Sequence, residues 1–224
     1  MKPEDVLIEE RKKKLEELKK LGINPYPYRF EKKNNAKEIL DKFAKLKEHE
    51  KTNVSVSIAG RIITFREMGK TTFAHIQDQT EKIQVYARED DLGKEQYYIF
   101  RKLDIGDFIG VTGKVFRTKM GEISVWINKF ELLAKSLRPL PEKWHGLKDI
   151  EIRYRKRYLD LIANPQIKEI FIKRTQIINA MREFLNKNEF LEVDTPILQP
   201  IYGGAAARPF KSFLHELKMD IYMR

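Results

Sequence analysis

The chain has 224 residues, 42% hydrophobic and 11% aromatic, with 44 basic against 33 acidic side chains for a formal net charge of +11. Apolar content at this level builds real cores and excludes global disorder, and the absence of cysteine excludes disulfides and thiolate zinc sites. The basic excess is spread along the chain rather than gathered in a tail, which suits a polyanionic partner such as nucleic acid and equally a Lys/Glu-rich soluble surface.

Residues 4–21 read as a helix with a thin apolar stripe, Ile8, Leu15, Leu18 and Leu21, closed by Gly22 ahead of Asn24-Pro25. So narrow a stripe predicts a helix leaning on a neighbour. Ala36, Ile39, Leu40, Phe43 and Leu46 predict a second helix, with Asn35 and Glu38 placed as a capping pair. From Val54 the period changes to two. "VSVSIAG", "TTFAHIQD", "KIQVYA", "DFIGVTGKVFRT" and "GEISVWINKFELLA" predict five strands, and "GKEQYYIFRKLDIGD" can hold a short helix between the third and fourth. That order is the OB-fold, a small Greek-key barrel.

A proline-bearing connector, "SLRPLPEKWHG", follows. "RYRKRYLDLIANP" then leads into the strongest helical pattern, in which Ile167, Ile170, Phe171, Ile177, Ile178, Met181, Phe184 and Leu185 share one wide apolar face up to Asn188. "FLEVDTPIL" reads as a strand closed by Pro196, and the last stretch, "LHELKMDIYMR", ends inside what reads as another strand. The division expected is an N-terminal helical segment over 1–53, an OB-fold over 54–136, a linker over 137–150 and an α+β region over 151–224. The C-terminal third is expected to be poorly stable alone, because its wide helix face has too little to bury against.

His49, His75, His145 and His215 are scattered and suggest no metal site. The longest uncharged run, Thr195–Ala207, is 13 residues, short of the ~20 a membrane helix needs. With acids in "MKPEDVLIEE" where a signal peptide needs an apolar stretch, the setting expected is cytoplasmic, with no membrane partner.

Candidate chemistry begins in the barrel. Ala74 and Ile76 carry the apolar phase of the second strand, so Phe73, His75 and Gln77 face the other way; Ile83 and Val85 likewise turn Gln84 and Tyr86 outward. An outward ring beside an outward amide is what a reader of unstacked bases uses: the ring stacks and the amide tests an edge. The alternative places Phe73 beneath the N-terminal helices. Arg66, Glu67 and Lys70 surround a Gly turn that could grip phosphate, but the phase of Arg66 does not carry past Gly60. In "GGAAARPF", residues 203–210, small side chains permit close backbone approach to a ligand, and no P-loop follows.

"RYRKRYLDLIANP", "FLEVDTPIL" and "GGAAARPF", in this order after an OB-fold, resemble a class II lysyl-tRNA synthetase, over essentially the whole chain. The resemblance implies that the barrel binds the tRNA anticodon, whose central base is uracil. It assigns Phe73 to stack on an anticodon base, Gln84 and Arg66 to hydrogen bond there, and Glu122 to touch the wobble base. It implies a homodimer through motif 1, the long helix with the segment ending at Pro196, and a lysine pocket in which Gly204 offers its backbone to the substrate. Lysine and ATP are the implied substrates and Mg2+ the implied cofactor of the complete enzyme. Their ligands belong to motifs 2 and 3, beyond Arg224, so no catalytic or metal-binding residue is expected in this chain, which is then inactive alone. The fold implied is the barrel followed by the incomplete start of an antiparallel-sheet catalytic domain. The alternative function is a stand-alone OB-fold module that binds an anticodon loop or single-stranded RNA and dimerises.

Overall fold

The computed structural model describes residues 3–141, 147–203 and 208–223. These form two compact units, residues 1–153 and 154–224. In the first, helices α1 (Pro3–Lys20) and α2 (Ala36–Lys42) precede strands β1 (Lys51–Met68), β2 (Thr71–Gln77) and β3 (Lys82–Arg88). Two short helices follow, α3 (Glu89–Leu92) and α4 (Lys94–Arg101), then β4 (Phe108–Arg117) and β5 (Ile123–Ala134). The strands close into a barrel in the order β1-β2-β3-β5-β4. All pairs are antiparallel except β3 with β5. This is the OB-fold expected from the alternation.

The barrel closes because its inward phase is almost entirely branched aliphatic. Ile58, Ile62, Ile76, Ile83, Val85, Ile109, Val111, Val115, Val125 and Ile127 are all buried. Phe100 of α4 plugs one end, its ring edge-on to Phe130 at 5.0 Å. Gly113 sits at a register shift in β4, where a Cβ would run into the carbonyl of Trp126, so only glycine fits. β1 shifts register between Ile62 and Thr64.

The N-terminal segment is tied to the barrel by specific contacts. Leu15 and Leu18 of α1 are buried, as the narrow stripe implies. The Arg11 guanidinium donates to the carbonyls of Ser136, Arg138 and Ile105 at 3.0–3.1 Å. Phe30 lies flat over Gly110, where a Cβ would collide with the ring. Asn35 donates its backbone N–H to Glu38 at 3.0 Å, so the capping pair starts α2 as read. Asp78 anchors the same helix, accepting from the Ala36 N–H and from Lys32. Burial alone would push its carboxyl up, but hydrogen bonds from Lys32, Thr80, Ala36 and Glu81 outweigh that and hold it well below the usual carboxylate range.

A buried ionic cluster joins the start of β4 to the end of β5. Lys135, its side chain fully buried, donates to Asp104 at 2.5 Å and to Asp107 at 2.8 Å. Asp107 also accepts the backbone N–H groups of Asp104 and Ser136, each at 2.8 Å. Lys14 of α1 reaches Asp104 at 2.6 Å, so the cluster fastens the N-terminal helix as well. Burial pushes the Asp107 carboxyl up against the pull of Lys135, whereas at Asp104 the two lysines win and the carboxyl lies low.

Helix α5 (Ile150–Arg155) straddles the boundary between the units. The second unit holds α6 (Arg157–Ala163), α7 (Pro165–Lys187) and a three-stranded antiparallel sheet in the order β6-β8-β7, from β6 (Leu198–Gln199), β7 (Lys211–Leu214) and β8 (Met219–Met223). Asp160 is fully buried, paired with Arg157 and accepting from the Asn164 amide at 2.7 Å. The apolar face of α7 stands in solvent: Ile170, Ile177, Met181 and Phe184 are each more than half exposed.

One expectation fails here. "FLEVDTPIL" is a strand only at Leu198, because among the described residues no neighbouring strand pairs with residues 190–197. "LHELKMDIYMR" does end inside a strand, β8, which follows the end of β7 and a turn over 215–218 where Lys218 takes the left-handed φ of 49° that lets the chain reverse.

Candidate nucleic-acid interface

The barrel register sets two neighbouring rows of outward side chains. One row runs Arg66, Phe73, Tyr86, Trp126 and Lys114 across β1, β2, β3, β5 and β4. The next runs Thr64, His75, Gln84, Ser124 and Phe116 across the same strands, with Lys51 of β1 closing it. The parallel pairing of β3 with β5 makes both rows possible. It sets Gln84 beside Ser124 and Tyr86 beside Trp126, although these strands are not consecutive.

Arg66, Phe73, Gln84 and Glu122 line one cleft of ≈ 510 Å³, together with His75 and Lys119. Met68, at the β1–β2 turn, and Met120, at the β4–β5 turn, flank it as exposed apolar side chains. The β1–β2 turn is tight because Gly69 takes φ 61°. Phe73 is half-buried and leans on Tyr86, ring centroids 4.8 Å apart. Arg66 is exposed beside it; the register shift at Ile62–Thr64 decides which way it faces.

The polar side of the cleft is a closed relay. Thr64 Oγ1 accepts the backbone N–H of His75 at 3.1 Å, which leaves its own proton for His75 Nδ1 at 2.7 Å. In the neutral ring the remaining proton is then on Nε2, donating to Glu122 Oε1 at 2.7 Å. Glu122 Oε2 accepts from Gln84 Nε2 at 2.6 Å, and Ser124 donates its hydroxyl to Gln84 Oε1 at 2.8 Å. An amide flip would turn Gln84 Oε1 toward a carboxylate, so Glu122 fixes the orientation. One N–H and one lone pair of Gln84 stay free for a ligand. A cleft with an aromatic wall, an arginine and an amide of fixed orientation can stack a planar ring and read a donor–acceptor edge.

Sequence reasoning identified Phe73 and Gln84 from strand phase. His75 and Tyr86 are read there as outward without partners, and Ser124 and Trp126 are missed. The outward phase of these two in "ISVWIN" is a readable signal, but the β3–β5 pairing is not. Pro196 is exposed, in an extended segment. Gly204 lies outside the described residues. Among the described residues no group of three or more His, Asp or Glu side chains could hold a metal ion, and no helix is long and apolar enough to cross a membrane.

Comparison with known proteins gives two family matches. Residues 56–133 match the OB-fold nucleic acid binding domain family, and residues 149–224 match the class II tRNA synthetases of the D, K and N type. Over nearly its whole length the chain is also similar to curated lysine–tRNA ligases. It is 56% identical over 218 residues to the lysine–tRNA ligase of Carboxydothermus hydrogenoformans, covering 97% of this chain and 44% of that protein. Similarity to the Bacillus subtilis lysine–tRNA ligase is 49% over 219 residues, 97% of this chain and 44% of that one. The Methanoculleus marisnigri lysine–tRNA ligase is 51% identical over 212 residues, 94% and 42% respectively. The chain thus spans under half the length of these curated relatives.

Proposed function

We propose that the chain is the anticodon-reading part of a lysine–tRNA ligase. The complete protein joins lysine to ATP as an adenylate with release of pyrophosphate, then passes the lysyl group to the tRNA 3′ end. The observation that carries the reading is the convergence of Arg66, Phe73, Gln84 and Glu122 on one cleft of an OB barrel. In it Phe73 stacks on the central uracil of the anticodon, Gln84 and Arg66 hydrogen bond to the nucleotide, and Glu122 meets the wobble base. The residues described here do not fit Mg2+, so no step through the metal is assigned to them. The work of this chain is selection and positioning of tRNA in the cytoplasm.

On this reading His75 is a positioning residue. A His75→Leu chain is expected to lose roughly tenfold in its preference for the central uracil, the worth of the ~1.5 kcal/mol or more that a hydrogen bond to a charged group carries. His75→Gln, which keeps a donor toward Glu122, restores most of it. Equal weakening toward every loop, with discrimination intact, would reduce His75 to a structural role.

The reading extends to the complete protein, with Gly204 lining the lysine pocket and the α7 face, with the segment ending at Pro196, forming a homodimer interface. The solvent-facing Ile170, Ile177, Met181 and Phe184 support the second point. A complete enzyme of monomeric mass, or a Gly204→Val variant with unchanged lysine KM, contradicts the respective half. Binding of a lysine-type anticodon stem-loop tests the whole.

A further inference from the structure

The base-reading cleft does not end at Phe73. Phe73, Thr118 and Lys119 are shared with a second groove, also lined by His49, Lys51, Tyr86 and Arg117. That groove shares Lys51, Phe116 and Trp126 with a third, which adds Lys114 and Asn128. The three adjoin one another in a row across the barrel.

The floor and rim of the second and third grooves differ in kind. The floor is aromatic: Tyr86 packs on Trp126 at 5.0 Å and on Phe116 at 5.8 Å, and Phe116 on Trp126 at 5.3 Å. Tyr86 and Phe116 meet the indole at steep angles, 84° and 62°, so neither ring stacks on its face. The Trp126 N–H is held by Asp91 at 2.8 Å, and the Lys51 ammonium sits over the ring at 3.7 Å. The rim is cationic. Lys51, Lys114, Arg117 and Lys119 line the second and third grooves, and no carboxylate among the described residues lines either. Arg117 has a buried Nε without a hydrogen-bond partner, although its terminal nitrogen donates to the Ala44 carbonyl at 3.0 Å. In a chain with 33 acidic residues, a channel of two grooves without a lining carboxylate is a selective feature, in contrast to the Glu122-lined cleft beside it.

We propose that this channel is a second nucleotide site, which takes the single-stranded RNA running on from the base in the cleft. It rests on the anticodon reading above. The base adjoining the cleft stacks on the Trp126 face and displaces the Lys51 ammonium. Lys51, Arg117 and Lys119 then meet the phosphates on either side, with Lys114 at the far end. An ammonium over an indole is a weak, exchangeable contact. A base offers larger area on the same face, and the released lysine gains a phosphate.

The chain has 2 tryptophans, Trp126 and Trp144, so Trp144→Phe leaves Trp126 as the sole reporter. A dye-labelled lysine-type anticodon stem-loop is titrated into this chain at fixed salt, following RNA anisotropy and indole emission together. The expected result is a saturating loss of Trp126 emission with the same midpoint as the anisotropy. Lys51→Ala and Lys114→Ala should each flatten the dependence of log K on log salt by about 0.7, the share of one single-strand phosphate. Trp126→Leu should weaken binding about tenfold, within the range for one stacked base. Binding by anisotropy with unchanged emission, or with wild-type salt slopes in both lysine variants, overturns the second site and leaves the cleft reading standing. Absence of binding by anisotropy sinks both.

Discussion

Replacing Phe73 with alanine is expected to weaken binding of a lysine-type anticodon stem-loop by about ten- to a hundredfold, since stacking of one base on an aromatic ring is worth ~1–3 kcal/mol. The loss belongs to the ligand and not to the fold. Phe73 is half-buried, on the outer face of β2, and its ring contact is with Tyr86, which keeps Phe116 and Trp126 as neighbours. The thermal midpoint should therefore move little, and Phe73→Tyr, which keeps the ring, should bind nearly as the parent does. Titration by fluorescence anisotropy beside a melting curve checks both halves. Unchanged affinity in a folded Phe73→Ala chain contradicts the stacking role.

The second large effect concerns stability, at a place with no part in binding. Lys135→Ala is expected to destabilise the barrel unit by about 3–5 kcal/mol, because it leaves buried carboxylates without their cation. Asp107 is fully buried and its remaining partners are backbone N–H groups; Asp104 keeps only Lys14 among its cations. The consequence reaches α1, since the same cluster fastens that helix. Lys135→Met combined with Asp107→Asn should recover only part of the loss: it removes the unpaired charge at Asp107, but the amide NH2 then faces one of the two backbone N–H groups that the carboxylate accepts. Urea unfolding followed by Trp126 emission, in a Trp144→Phe background, measures the difference. A loss below about 1 kcal/mol would mean that water relieves the cluster, contrary to its burial.

The sequence carried the barrel well because alternation is local. Ala74, Ile76, Ile83 and Val85 announce their own face, and their neighbours Phe73 and Gln84 follow without knowledge of the fold. Arg66 does not follow, because the register shift between Ile62 and Thr64 breaks the phase before it, just beyond Gly60. The relay from Thr64 to Ser124 was beyond reach for another reason. It depends on β3 pairing with β5, a contact between distant segments that no local pattern encodes.

In the second unit the pattern misled where partners decide the outcome. "FLEVDTPIL" has strand composition, yet only Leu198 of it joins a strand ladder among the described residues. The terminal strand was readable as β8, although the turn over 215–218 before it has no glycine, asparagine or proline and Lys218 supplies the left-handed residue. The helix face was read correctly as apolar, and α7 leaves it exposed. The family resemblance rests chiefly on three short motifs, which lie within the matched stretch 149–224, while the alternation over the barrel agrees with the match over 56–133.

One measurement tests the central claim most directly: binding of the lysine-type anticodon stem-loop to the unmodified chain, with its central uracil intact and then replaced, at one fixed salt concentration. The cleft of Phe73, Gln84 and Arg66 predicts that the uracil loop binds about tenfold tighter or better, the value of ~1–3 kcal/mol for one stacked and edge-read base. Equal affinity for both loops, falling together as salt rises, would contradict base reading and reduce the barrel to a cationic surface.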